Sequence, residues 1–255
     1  WGNIFRYNYV HDMIIDSSAA TSHGVHGIYL DDMSSQTNVF GNVFANLPSA
    51  GLMGGGRNNR FENNLIVDCN ANINYDQRAA VDNPSTTYTF EGKEYSWNVE
   101  HCFTRLRASY YLTDTWKAKY TGNPEWPAVS AQSNMLNDEP EVPKYVVIKD
   151  NVVYKSGKRT IAKKVSQYGK VENDYTIYLP NTYFSDYSNN NYTLTSTGLS
   201  NIKKNHPNFE DIPFNKMGQA AYVYEDKYVG ELSFVATAVQ QSNYTSFQKD
   251  GGTAV

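Results

Sequence analysis

Short apolar segments recur along the first part of the chain, and each has asparagine at the same place in its pattern. Residues 3–10, 38–44 and 59–66 each contain two short apolar stretches separated by a polar step at an asparagine, and residues 147–153 form a weaker copy. Asn42 and Asn64 are 22 residues apart. A period of this length with several short strands in each repeat is typical of a coiled solenoid, in which successive coils stack at strand spacing.

A second set of positions repeats in the same region with nearly the same period. Aligning residues 27–32 with 51–56 and then with 72–76 makes two columns, and the alignment steps are 24 and 21 residues. The apolar column contains Ile28, Leu52 and Ile73, and the polar column contains Asp31, Gly55 and Asp76. We therefore expect these residues to lie above one another on adjacent coils.

These patterns predict an all-β fold, namely a right-handed parallel β-helix (a solenoid) with a long irregular insertion and a C-terminal cap. We expect the β-helix domain to span residues 1–218. Prolines interrupt residues 79–143, which we interpret as an irregular insertion because proline opposes regular strand pairing. Residues 200–218 would form the cap over the open end, and the pattern assigns no structure to the extension 219–255.

The amino-acid composition of the chain excludes several classes of protein. With 40% hydrophobic residues among 255, the chain has enough apolar surface for a core, so general disorder is excluded. The mean hydropathy is −0.60, and no apolar run approaches the ~18 residues of a membrane-spanning helix, so we predict no membrane insertion. The net charge is −4 and no basic stripe is present, which argues against a nucleic-acid partner. Two cysteines cannot form a disulfide framework.

The polar column suggests carbohydrate chemistry. Asp31 and Asp76 would flank the glycines 54–56, which leave a trough wide enough for a sugar ring. Cleavage of a glycosidic bond needs two carboxyl groups on opposite sides of that bond, one as acid and one as base or nucleophile. Asp32 is the alternative to Asp31, but strand alternation predicts that its side chain points to the opposite face.

Other side chains are candidates to support this pair. We expect His11 to act with the carboxylates, because it ends a strand near their column, and we favour it and His26 over His23. The other predicted substrate-binding residues are two arginines and three aromatic side chains: Arg57, Arg78, Tyr75, Trp97 and Trp116. No histidine or carboxylate spacing is diagnostic of a metal, so we predict no metal site and no cofactor; lyase-type chemistry alone would call for Ca²⁺, or for arginine or lysine in its place, to neutralise a uronate carboxylate.

Several of these segments together resemble a known family. The matching segments are 26–32 followed by 38–44, 63–69 followed by 76–78, 116–120, 143–153 and 209–218. They resemble the secreted right-handed parallel β-helix carbohydrate-active proteins, which include glycoside hydrolases of the fucosidase and xylanase types, lyases and epimerases. Ala79 stands where this family usually has glycine, and Thr121 where it usually has proline.

The resemblance implies a glycoside hydrolase for polysaccharide degradation that is secreted, periplasmic or on the cell surface, with a carbohydrate as its partner. A polysaccharide lyase or C5-epimerase is the first alternative, and a non-catalytic glycan-binding solenoid is the second. The chain begins at Trp1 within patterned sequence, so we expect further coils and any export signal to precede it in a longer protein. The sequence does not indicate an oligomeric state.

Overall fold

A computed structural model describes residues 2–13, 24–120 and 131–217, which belong to one compact unit, Trp1–Met217. His23 and the extension 219–255 lie outside the described residues. None of the helices in the described part of the chain has both the length and the apolar character needed to cross a membrane.

Most strands belong to three parallel sheets that successive passes of the chain visit in turn. The first sheet contains, in spatial order, β1 (Asn3–Arg6), β4 (Thr37–Phe40), β7 (Arg60–Glu62), β12 (Val147–Lys149) and β15 (Lys170–Val171). The second contains β16 (Tyr175–Thr176), β13 (Val152–Tyr154), β8 (Leu65–Val67), β5 (Val43–Ala45) and β2 (Tyr9–His11). The third contains β14 (Thr160–Ile161), β9 (Ala71–Tyr75), β6 (Ala50–Gly54) and β3 (Ile28–Leu30).

Helices and two antiparallel hairpins accompany these sheets. The α-helices of the described residues are α1 (Val99–Ala108), α2 (Asp114–Tyr120), α3 (Gln132–Asn137), α4 (Lys163–Tyr168), α5 (Pro180–Tyr183) and α6 (Ser196–Asn205). The hairpins pair β10 (Tyr88–Phe90) with β11 (Lys93–Tyr95), and β17 (Phe184–Asp186) with β18 (Asn191–Leu194). Short 3₁₀ turns cover Arg78–Ala80, Tyr187–Asn189 and Phe214–Lys216.

The predicted all-β right-handed parallel β-helix is therefore wrong as a fold class, because the chain has mixed α/β character. The helices have local causes. The Asn98 side chain accepts a hydrogen bond from the backbone N–H of His101 and caps α1, which buries Val99 and Phe103 on one face. The predicted irregular insertion is also wrong, because residues 79–143 contain α1, α2, α3 and a hairpin.

The columns inferred from the repeats are confirmed. Ile28 pairs with Leu52, and Leu52 pairs with Ile73, so these three apolar residues occupy one row across the third sheet. The asparagines form a hydrogen-bonded ladder in which the Nδ2 of Asn42 donates to Oδ1 of Asn64 at 3.0 Å, and Asn64 donates in the same way to Asn151 at 3.0 Å.

The second sheet is covered on both faces. Its inward side chains, such as Phe44 and Ile66, belong to the core between the sheets. Its outward side chains, such as Val43 and Leu65, pack against a second cluster that includes Ile202 of α6 and residues of the C-terminal segment. Burial on both faces explains why β5, β8 and β13 have continuous apolar sequences instead of alternating ones.

Candidate functional site

A cleft of about 770 Å³ lies between the ends of the third-sheet strands and the insertion. The strand side contributes Asp31, Asp32 and Arg57, and the insertion contributes Trp97, His101 and Arg105. The cleft therefore has two carboxylates and an arginine on its strand side, and basic and aromatic side chains on its insertion side.

The predicted polar column is present, and its first member, Asp31, lines this cleft. Pairing of Leu30 with Gly54 and of Gly54 with Tyr75 places Asp31, Gly55 and Asp76 one position further along adjacent coils. The backbone N–H of Gly55 donates to Leu30 at 3.0 Å, and that of Asp76 donates to Gly54 at 2.9 Å. A Cβ at Gly55 would lie 2.2 Å from the carbonyl oxygen of Asp32 and 3.2 Å from Oδ1 of Asp76. Only glycine leaves space there.

Arg78 connects the carboxylates of this column. Its guanidinium lies 3.2 Å from Oδ1 of Asp31 and also forms an ion pair with Asp32. Its backbone N–H lies 3.3 Å from Oδ1 of Asp76. The prediction that Asp32 points to the opposite face from Asp31 is wrong, because β3 ends at Leu30 and Asp32 adopts a left-handed conformation with φ of 44°. Strand alternation no longer applies there.

Burial and charge distinguish the two aspartates. Asp31 is exposed, with 59% of its side-chain surface accessible. Asp76 is half-buried, and desolvation raises the pKa of its carboxyl group above the usual value, with the negative charge of Asp31 acting in the same direction. The Tyr29 hydroxyl is hydrogen-bonded to Asp31, which raises the pKa of that tyrosine. The ring of His26 lies 5.3 Å from that of Tyr29, so His26 is close to the column.

Arg57 lies at the cleft but has a buried role. Only 4% of its side chain is exposed, and it forms an ion pair with Asp138 while its guanidinium lies 5.4 Å from the ring centroid of Tyr145. Its Nε has no hydrogen-bond partner within the described segments. Arg57 therefore links the strand ends to the insertion at the wall of the cleft.

Three predicted site residues lie elsewhere. His11 is the last residue of β2 in the second sheet, not the third, and its Nδ1 is bonded to Asp12 at 2.7 Å, so the structure does not bring it to Asp31. Tyr75 is 1% exposed, because strand alternation turns it into the core, where its hydroxyl donates to the carbonyl of Gly55 at 2.6 Å. Trp116 is 8% exposed and packs edge-on against Tyr111. Neither aromatic side chain presents its ring to the cleft as predicted.

Trp97, predicted as a substrate-binding residue, lies on the insertion side of the cleft, but sequence reasoning missed the residues of α1 there. His101, Cys102 and Arg105 lie on α1 and line it, and burial raises the pKa of the Cys102 thiol. Cleft-lining residues recur at 101, 105 and 109 and at 102 and 106, which is the spacing of one helix face. This periodicity is visible in the sequence, but its partner surface is not.

No family model, curated protein or solved structure matches this chain. The function is therefore argued from the site alone.

One further group of side chains lies away from the cleft. Asp150, Glu172 and His206 place their potential ligand atoms within 4.8 Å of one another. The sequence predicted no metal site. Asp150 and Glu172 are one 22-residue period apart, but His206 comes from outside the repeat, and the three together have no spacing diagnostic of a metal.

Proposed function

We propose that the chain is a glycoside hydrolase that uses Asp31 and Asp76 as its pair of carboxyl groups. The observation that carries this proposal is the column of Asp31, Gly55 and Asp76, in which a glycine separates two carboxyl groups and Asp31 lines the cleft. Two carboxyl groups with different environments are what acid–base cleavage of a glycosidic bond requires.

The different surroundings of Asp31 and Asp76 indicate which carboxyl group acts as the acid and which as the base or nucleophile. Because its pKa is raised, Asp76 retains its proton to higher pH than an ordinary aspartic acid and is suited to protonate the leaving oxygen. Asp31 is exposed and lies 3.2 Å from the guanidinium of Arg78, a position in which it can act as base or nucleophile. Arg78 and Tyr29 position Asp31, and Trp97 offers an aromatic surface against which a sugar ring can pack.

The stereochemical outcome depends on the separation of the carboxyl groups. Asp31 and Asp76 are two strand spacings apart, roughly 9.6 Å between backbones. Side chains that lean together to ~5–5.5 Å would give retention, whereas a separation of ~6.5–9.5 Å would admit a water and give inversion. The anomeric configuration of the first product, followed by NMR, distinguishes these outcomes.

Substitution of each carboxyl group tests the proposal. In a screen against neutral oligosaccharides, we expect Asp31→Asn and Asp76→Asn each to lower kcat by about 10²–10⁴-fold while KM changes little, because the fold and the glycan contacts remain. Asp82→Asn is the matched control, since Asp82 is exposed and pairs with Lys164 at 3.1 Å outside the cleft. Wild-type turnover in either column variant would contradict the assignment.

The pH dependence provides a second test. The rate should follow a bell-shaped profile whose alkaline limb reports loss of the proton from Asp76. In Asp76→Glu, the longer side chain should preserve part of the turnover but move that limb to a different pH. An unchanged alkaline limb in Asp76→Glu would exclude Asp76 as the acid.

A polysaccharide lyase or C5-epimerase is the second candidate, and the cationic wall of the cleft favours it. His101 and Arg105 on α1 line the same cleft as Asp31 and Asp32. An arginine can neutralise a uronate carboxylate, and a histidine can remove the neighbouring proton. A lyase forms an unsaturated uronate with strong ultraviolet absorbance. Formation of that product from a uronate polymer, and its loss in Arg105→Gln, would support this candidate over hydrolysis.

A further inference from the structure

Three side chains from distant parts of the chain meet beside the last coils. Asp150 follows β12, Glu172 follows β15, and His206 follows α6. β12 and β15 are neighbours in the first sheet, and the backbone N–H of Glu172 donates to the carbonyl of Ile148 at 2.8 Å. The stacking of these two strands therefore places Glu172 next to Asp150, and the end of α6 adds His206.

The charges around this group leave an acidic excess. Arg60 binds Glu62 through two hydrogen bonds of 2.9 and 3.0 Å, and Arg159 pairs with Asp174 at 3.1 Å. Lys149 lies 3.5 Å from Asp150 and 3.7 Å from Glu62, so its single positive charge is shared between two carboxylates. In the part of the chain that the structure describes, the Glu172 carboxylate has no hydrogen-bond or ion-pair partner.

The geometry also fits a shared ligand better than a direct bond. Nδ1 of His206 lies 3.3 Å from Oδ1 of Asp150, although a charge-assisted hydrogen bond between such groups is typically about 2.7–2.9 Å long. Two donor atoms that are each about 2.1 Å from a tetrahedral Zn²⁺ ion are separated by about 3.4 Å. The Asp150 side chain is only 7% exposed and that of His206 12% exposed, so these two groups have little freedom to move apart.

We propose that Asp150, Glu172 and His206 bind a divalent cation of the zinc type. One imidazole nitrogen and two carboxylates form a ligand set that favours Zn²⁺ or Co²⁺ over Ca²⁺ and Mg²⁺, which prefer oxygen ligands only. The ion neutralises the two carboxylates and leaves one coordination position for water. Because the ligands follow β12, β15 and α6, the ion fastens the end of α6 to the stacked strands.

Metal titration of the full chain tests this site. Apo protein, prepared with a chelator and free of affinity-tag histidines, is titrated with Zn²⁺ by calorimetry and with Co²⁺ by visible absorption. We expect one ion per chain, and a rise of about 5–10 °C in Tm when free Zn²⁺ is about 100 times Kd. Ca²⁺ at the same concentration should leave Tm unchanged.

Substitution of the proposed ligands tests whether the ion binds at this site. Glu172→Gln and His206→Gln should each weaken Zn²⁺ binding by at least about tenfold. Glu94→Gln, which removes an exposed glutamate from β11, is the matched control and should bind like the wild type. Glu172 is exposed, so Glu172→Gln is expected to fold even if His206→Gln does not.

Two results would overturn the proposal. The first is the absence of Zn²⁺ binding by the wild type. The second is wild-type affinity in Glu172→Gln, which would mean that the ion binds elsewhere or that His206 and Asp150 form only an ion pair. Asp76→Asn should bind Zn²⁺ normally, and a loss in that variant would instead place the ion at the cleft.

Discussion

The raised pKa of Asp76 suits this residue to the proposed acid catalysis, but it also means that the ionised carboxylate destabilises the fold. Burial raises the pKa of its carboxyl group, so the folded state holds this proton more tightly than the unfolded state does. Ionisation of Asp76 therefore destabilises the fold as pH rises through the interval between its unfolded and folded pKa values, and the penalty persists above that interval.

Asp76→Asn should reveal this penalty, because asparagine stays neutral at every pH. We expect the variant to have a higher Tm than the wild type at pH 7, and little difference at pH 3, where Asp76 is protonated in both states of the wild type. Calorimetry at both pH values measures this, with Asp82→Asn as the reference. An equal difference in Tm at the two pH values would contradict the electrostatic explanation.

Substitution of Gly55 tests how tightly the chain is packed between the carboxyl groups of Asp31 and Asp76. Alanine there would place Cβ 2.2 Å from a backbone oxygen, which cannot rotate away, so Gly55→Ala should lower the free energy of unfolding by about 3 kcal/mol. Gly92 in the insertion has open space around it and φ of 74°. Gly92→Ala should therefore lower the free energy of unfolding by about 1 kcal/mol, which is the cost of holding alanine in a left-handed backbone conformation. Urea denaturation compares the two. A smaller loss for Gly55→Ala than for Gly92→Ala would contradict the crowding shown by the structure.

At the scale of the elements, the asparagine ladder joins the corners between the first and second sheets. Asn64 is fully buried and sits in the middle of it. Its Nδ2 donates to Oδ1 of Asn151 and to the carbonyl of Val39, and its Oδ1 accepts from both nitrogens of Asn42. Each asparagine thus satisfies backbone and side-chain groups of its neighbours, which explains why the repeat requires this residue type.

The position in the ladder should determine the cost of removing an asparagine. Asn64→Ala leaves buried groups unsatisfied on both neighbouring coils and should destabilise the protein by about 3 kcal/mol. Asn8 is half-buried and lies at the end of the ladder, so Asn8→Ala should cost about 1 kcal/mol. The midpoints of urea denaturation measure both. Equal losses would show that the ladder does not act through buried hydrogen bonds.

At the scale of the whole molecule, the insertion has its own apolar cluster. Phe103, Tyr111 and Trp116 pack with one another and with Met135, separately from the core between the sheets. The wall of the cleft that α1 forms therefore depends on this small cluster for its stability.

Trp116→Ala should loosen the insertion without unfolding the stacked strands. Replacing a buried tryptophan with alanine lowers stability by about 3–5 kcal/mol. We expect the apolar cluster of the insertion to lose this stability, because Trp116 packs there. Hydrogen exchange should therefore accelerate at α1 and remain slow at β5 and β8. Equal acceleration in all three elements would mean that the insertion and the sheets unfold as one cooperative unit.

The sequence alone determined the stacked columns of this protein. The period places Ile28, Leu52 and Ile73 in one row and Asp31, Gly55 and Asp76 in another, because each pass of the chain repeats the same local pattern. Where no insertion intervenes, neighbours in these two columns are 21 or 24 residues apart, so a short alignment is enough to pair them. The strand side of the candidate site could therefore be predicted from the sequence.

Only the tertiary structure decided what surrounds those columns. The helices of the insertion, the placement of His101 and Arg105 opposite Asp31, and the burial of Trp116 depend on how a non-repeating segment packs against the coils. Asp150, Glu172 and His206 likewise meet only because the strands stack and α6 returns to them. Asp150 and Glu172 are one 22-residue period apart, but His206 and the residues of the insertion lie outside the repeat, so no local period records their neighbours.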